Sequence, residues 1–359
     1  MTSATTSSVI REVFGRLPGS AVVERVRLRT PDGFEARIIT YGAALQALFV
    51  PDRHGEVGDV VLGHDDLASY AAARRFFGAT VGRYANRIAG AGFTLDGERI
   101  SLDANNGPNA LHGGLQGFDR RLWTITAVDD GPAPAVTLAY RSLHGEEGYP
   151  GTLDVSATYR ISAPRELSIE HTATTDRPTV VNLTNHSFFN LDGAASTSDI
   201  LSHRLTVAAD AFLATDETAI PLHELPRSVT GTPFDFREAN EIGARIRQND
   251  EQLRRGRGYD HNFCLSPDAG LRFAARIEAP RSGRVMELHT NQPGLQVYSG
   301  NYLDGSVPGK HGRLYRQSDA LCLEPQAWPD TPNRSDFPSV LLQPGEVYRH
   351  HALYRFSAA

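Results

Sequence analysis

The chain has 359 residues, 40% hydrophobic and 22% charged, and its 36 basic against 42 acidic side chains give a net charge of −6. This composition excludes bulk disorder, and an acidic balance without blocks of like charge argues against a nucleic-acid or anionic-membrane partner. Two cysteines, Cys264 and Cys322, argue against a disulfide framework and a cysteine-based zinc site, and a single lysine, Lys310, expected to be exposed in its Pro-Gly-Lys-His-Gly loop, argues against Schiff-base chemistry.

The Thr/Ser-rich start, residues 1–8, lacks the apolar core of a signal peptide and is expected to fray. No window reaches the roughly 18 apolar residues of a membrane span, so a cytoplasmic protein is expected. Val26 and Leu28 then alternate with Arg25, Arg27 and Arg29, a Pro31-Asp32-Gly33 turn follows, and residues 34–41 read as the return strand of a hairpin. Residues 65–77 are predicted as a short helix. Val136, Leu138 and Tyr140 alternate again. Leu153, Val155, Ala157, Tyr159 and Ile161 do so over nine residues, which spells a half-buried antiparallel strand. Leu167-Ile169 and Leu295-Val297 repeat the pattern, while residues 236–253 place Ile242, Ile246 and Leu253 at helical intervals. Neither helical stretch feeds a repeating strand-helix unit, and 33 Gly and 21 Pro supply turns. The predicted fold is therefore all-β, a large antiparallel β-sandwich with a few short helices, in one domain over residues 1–359.

Polar clusters interrupt this background: 82–88 with Asn86 and Arg87, 109–114 with His112 before two glycines, 182–191 with His186 among amides and hydroxyls, and 258–263 with Asp260. Glu324 stands in an apolar run, where alternation puts Leu321 and Leu323 on one face and Cys322 and Glu324 on the other. A carboxylate there is either paired structurally or held for proton transfer. His186 is either a ligand-facing ring or one satisfied in a turn network. Arg87 and Asp260, set on faces opposite their chain neighbours if extended, either supply a donor and an acceptor to one cavity or are each held in a buried ion pair with no function. The 13 histidines form no His-x-x-x-His helix and no acidic calcium loop accompanies them, so no metal is expected.

Taken in order, Asn86-Arg87, Leu111-His112-Gly113-Gly114, 182–191, Tyr259-Asp260-His261-Asn262-Phe263, 294–301 and Leu323-Glu324-Pro325-Gln326 resemble the aldose 1-epimerase (galactose mutarotase) family over nearly the whole chain. The resemblance implies a large β-sandwich of the galactose mutarotase type with an open sugar cleft. It further implies interconversion of the α and β anomers of free aldohexoses such as glucose and galactose, with no cofactor. It implies Glu324 as general base, His186 as general acid, and Asn86, Arg87, His112, Asp260 and Gln296 as substrate contacts. Phe188 departs from the tyrosine frequent in the family. On this reading Glu324 is ionised and His186 protonated in the active form, giving a bell-shaped pH profile whose acid limb belongs to the glutamate. The partner is then a small aldose, and the chain a monomer or homodimer. Three alternatives remain at this point: a non-catalytic sugar sensor, a hexose-phosphate epimerase using Arg254, Arg255 and Arg257, and a hydrolase using Asp260 and Glu324.

Overall fold

The computed structural model describes residues 8–266 and 270–359, in which strands dominate and the α-helices are Leu67–Ala72 and Glu251–Gly256. The alternating segments assemble into three main antiparallel sheets. Five strands in chain order, Ser8–Arg16, Val22–Arg29, Glu35–Ile39, Ala44–Pro51 and Val57–Asp59, form a meander that includes the predicted hairpin. A nine-stranded sheet contains Ala135–Ser142, Leu153–Ala163 and Glu166–Thr175 side by side, with the C-terminal strand Tyr348–Ala358 against the last of them. A six-stranded sheet is ordered Phe188–Phe189, Leu321–Gln326, Gly294–Tyr298, Asp260–Cys264, Ala211–Phe212 and Arg227–Ser228.

The period of two decides which side each residue takes. Val26, Leu28, Val155, Tyr159, Leu295, Val297, Leu321 and Leu323, drawn from all three sheets, meet in one apolar core. Each such side chain, fully removed from water, contributes about 1.5–3 kcal/mol. The intervening residues of the six-stranded sheet, among them Gln296, Tyr298, Cys322 and Glu324, point to the opposite face, and Cys322 and Tyr298 belong to a separate small cluster with Phe77 and Phe188. That face is what the fold presents to a ligand.

Several sequence expectations change here. The helix expected over 65–77 is shorter, Leu67–Ala72, capped by the Asp66 carboxylate that accepts from the Ser69 amide at 2.8 Å. It stops where Ala73 leaves the helical region at φ −115° and ψ 111°, its amide donating to the Ser69 carbonyl, and beyond it Phe76 at φ +59° and Gly78 at φ +65° turn the chain. Of 236–253, only Ile242–Ala244 makes a 3₁₀ turn, and the α-helix begins at Glu251; Ile242 and Leu253 reach the core from separate pieces of chain. Lys310 is buried at 2% exposure rather than exposed, its Nζ donating to Asp59 Oδ2 at 2.6 Å and the Val61 carbonyl at 2.9 Å, a structural ion pair. Of the start expected to fray, residues 1–7 lie outside the described residues, and Ser8 already pairs with Arg29 in the first strand.

Candidate active site

The open face of the six-stranded sheet is the floor of a cleft of about 490 Å3, within the range of small-molecule sites. Asn86, Arg87, His112, His186, Asp260, Gln296 and Glu324 all line it. Strand register sets the floor. Gln296 pairs with Glu324 on one side and Asn262 on the other, while Tyr298 pairs with Cys322 and Asp260. The Gln296 amide Nε2 donates to Asp260 Oδ1 at 2.7 Å, orienting a carboxylate that faces the cavity.

Arg87 stands on a paired ribbon, Arg87–Ile88 against Ala110–Leu111, and His112 directly follows its second strand. The alternation rule would separate Asn86 from Arg87, yet both line the cleft, because Asn86 sits at φ +65° rather than in extended backbone. Asn86 and His112 exchange bonds: the His112 amide donates to the Asn86 carbonyl at 3.0 Å, and the Asn86 amide donates to His112 Nδ1 at 3.1 Å. That second bond fixes the tautomer, since a ring whose Nδ1 accepts carries its proton on Nε2. His112 is therefore a donor toward the cleft. Gly113, at φ +80°, permits this approach; a Cβ there would lie 1.8 Å from the Gly82 carbonyl oxygen. The Arg87 Nε donates to Asn106 Oδ1 at 3.0 Å, which leaves the terminal nitrogens of the guanidinium for a ligand.

His186 comes from 182–191, where Asn182 works as a splice. Its Nδ2 donates to the Ala85 carbonyl at 3.0 Å, and its Oδ1 accepts from the Ala327 amide at 2.9 Å, so one residue ties the Asn86-Arg87 segment to the strand of Glu324. His186 Nε2 lies 3.6 Å from Glu324 Oε2, both side chains being nearly inaccessible, and neither His186 Nδ1 nor Glu324 Oε2 has a hydrogen-bond partner within the protein. Two aromatic rings flank the imidazole: Phe188 at 4.9 Å with planes 22° apart and Phe76 at 5.7 Å with planes 18° apart.

Burial sets the electrostatics. Desolvation pushes Glu324 well above the usual carboxylate range, the nearby Asp260 charge adds to this, and Arg87 opposes it. Desolvation likewise takes His186 down to about 4 and holds His112 well below its ordinary value. Burial thus favours the neutral forms of both groups, a protonated Glu324 and an uncharged His186, over the charged pair. This reverses the ionisation order expected from sequence, because alternation and motif order say nothing about how completely the pair leaves water.

His112, His186 and Glu324 also form a cluster whose ligating atoms lie within 4.8 Å of one another. The tautomer of His112 does not suit a metal: its Nδ1 is engaged by the Asn86 amide, and coordination through Nε2 would drive a ring proton onto Nδ1 against that donor. Of the arginines weighed for a phosphate, Arg255 lines the cleft but already binds Glu217, Glu251 and the Thr215 carbonyl. Arg254 donates to Asn249, and Arg257 lies over the Tyr302 ring. Sequence reasoning missed Phe76, Asn106 and Tyr298 as cleft residues. The amide-rich turn at 105–109 was a readable signal for Asn106, whereas nothing local distinguishes Phe76 from a core phenylalanine.

The aldose 1-epimerase family model matches residues 24–355. Galactose mutarotase of Bos taurus is 47% identical over 353 residues, covering 98% of this chain and 99% of that one. Aldose 1-epimerase of Escherichia coli K12 is 37% identical over 98% of this chain and its own full length. An aldose epimerase homologue from C. elegans superposes with a TM-score of 0.84 at 32% identity, covering 99% of this chain and 100% of that one. With the family model and such relatives matching it from end to end, the chain belongs to the aldose 1-epimerase family.

Proposed function

We propose that the cleft interconverts the α and β anomers of free aldohexoses such as glucose and galactose, with Glu324 as base and His186 as acid. Glu324 removes the proton of the C1 hydroxyl while His186 protonates the ring oxygen, the bond between C1 and that oxygen breaks, and an open aldehyde forms. Rotation about C1–C2 presents the other carbonyl face. Closure returns the Glu324 proton to the carbonyl oxygen and the ring-oxygen proton to His186, so the reaction balances without an added reagent. Arg87 and the Nε2 proton of His112 stabilise charge developing on oxygen. Asp260, Gln296 and Asn86 bind hydroxyls.

The observation that carries this reading is the 3.6 Å approach of two buried proton carriers in the wall of a cleft, in a chain of this family. The neutral pair favoured by burial is the pair left after ring opening; the cyclic sugar needs the charged pair, which contains the same number of protons. The acid limb of kcat/KM is accordingly assigned to His186 and the alkaline limb to Glu324. The proposal extends to a single-domain cytoplasmic enzyme acting as a monomer or homodimer. Among the described residues no helix is long and apolar enough to cross a membrane. Polarimetry of fresh α-D-glucose, α-D-galactose and a pentose with the purified protein tests the activity. Rotation should change far faster than in buffer alone for at least one hexose, and the buffer rate for all three would refute it.

A further inference from the structure

The loop that ends the first helix is stitched to the backbone of His186. The Gly78 amide donates to the His186 carbonyl at 3.0 Å, the His186 amide donates to the Ala79 carbonyl at 2.9 Å, and Asn185 Nδ2 donates to the Gly78 carbonyl at 2.7 Å. Within that loop the Ala79 amide closes a turn on the Phe76 carbonyl, and Phe76 itself is held in the left-handed region that a bulky residue rarely adopts. The ring so placed lies nearly parallel to the His186 imidazole, tilts against His112 at 4.8 Å, and carries the Arg74 guanidinium 4.7 Å from its centre. Arg74 is fixed in turn by both Asp119 oxygens at 2.7 Å each.

We propose that Phe76 is a positioning residue for His186: with Phe188 it forms an aromatic slot that fixes the plane of the imidazole and shields it from water, so that the ring meets the sugar's ring oxygen in one orientation. Strained backbone at a functional site is held only where surrounding bonds over-determine it, and three bonds between the loop and 185–186 do so here. The slot also accounts for the one-sided environment of the ring, whose Nδ1 has no partner within the protein and whose Nε2 faces Glu324. The titratable and charged groups around it are Glu324, His112, Tyr298 and, beyond Phe76, Arg74. Desolvation is the leading cause of the low proton affinity of His186, and Phe76 is part of what excludes water. The inference rests on the acid role given to His186 above.

The test compares Phe76→Leu and Phe76→Tyr with the parent by polarimetry across pH and by NMR titration of the histidine rings, with Tm as control. Loosening the ring should lower kcat by about ten- to a hundredfold, the scale of small misplacements of reacting groups, with KM nearly unchanged. The His186 titration and the acid limb should both move to higher pH in Phe76→Leu. Phe76→Tyr, which keeps the stacked ring, should restore kcat and the parental titration. An unmoved His186 titration, or a loss of activity that merely follows Tm and is not rescued by tyrosine, would overturn the slot. A shifted titration with parental turnover would uphold the slot and instead sink the acid role of His186.

Discussion

His186→Asn offers a test of the pair's environment that needs no substrate. A histidine whose folded pKa lies below its unfolded value contributes stability above the unfolded value, and that contribution is lost as pH falls. With about 4 in the folded chain and about 6.5 unfolded, the loss runs from about pH 6.5 down to pH 4 and amounts to about 2 kcal/mol at pH 5. His203, His261 and His350, lowered to about 4, 3 and 4 by burial, add an acid-labile background common to parent and variant. Glu324, raised by burial, acts in the opposite sense, contributing stability that fades as pH rises. Urea unfolding followed by tryptophan fluorescence at pH 7 and pH 5 reads the difference. Relative to the parent, His186→Asn should gain about 2 kcal/mol on going from pH 7 to pH 5. A parent–variant gap that does not change between the two pH values would refute the account of a dry, neutral imidazole.

Other expectations follow from the same geometry. Arg87→Lys should lose on the order of a hundredfold in kcat/KM by polarimetry, because a point charge cannot keep the Asn106 bond and still present a second planar donor. Chelator treatment should leave turnover unchanged, since His112 is in the wrong tautomer for a ligand; activity lost to chelation and restored by one divalent ion would count against that. Gly113→Ala should lower both Tm and kcat, at a cost of about 1–3 kcal/mol, because a Cβ at φ +80° collides with the Gly82 carbonyl that shapes the His112 turn.

Much of this molecule was legible in the sequence where a simple period governs it. Leu153 to Ile161 declared a strand, and Leu321 and Leu323 against Cys322 and Glu324 declared which face is core, because pleating enforces alternation. The family motifs named residues that the fold gathers into one cleft although they are spread from Asn86 to Glu324. What failed did so where the backbone leaves the regular regions. Asn86 adopts positive φ and Ala73 swings into extended backbone, so neither the opposed faces of Asn86-Arg87 nor the length of the first helix could be read by period. Lys310 reads as exposed because its loop is rich in glycine, and it is Asp59, 251 positions earlier, together with the Val61 carbonyl, that makes its burial tolerable. The protonation state of the pair was equally hidden, since it depends on how completely distant segments exclude water from both groups.

The central claim is that Glu324 and His186 form one proton-transfer unit. Its most direct test is polarimetry on Glu324→Gln, His186→Asn and the double variant, at the parental pH optimum and with spontaneous mutarotation subtracted. Each single change should cost at least about two orders of magnitude in kcat, the usual worth of a positioned acid or base, while Glu324→Gln keeps its fold and still binds sugar. Because both groups act in one coupled event, the double variant should be scarcely slower than the worse single one. Fully multiplicative losses would contradict a single unit, and near-parental turnover by Glu324→Gln would return that carboxylate to a purely structural place in its strand.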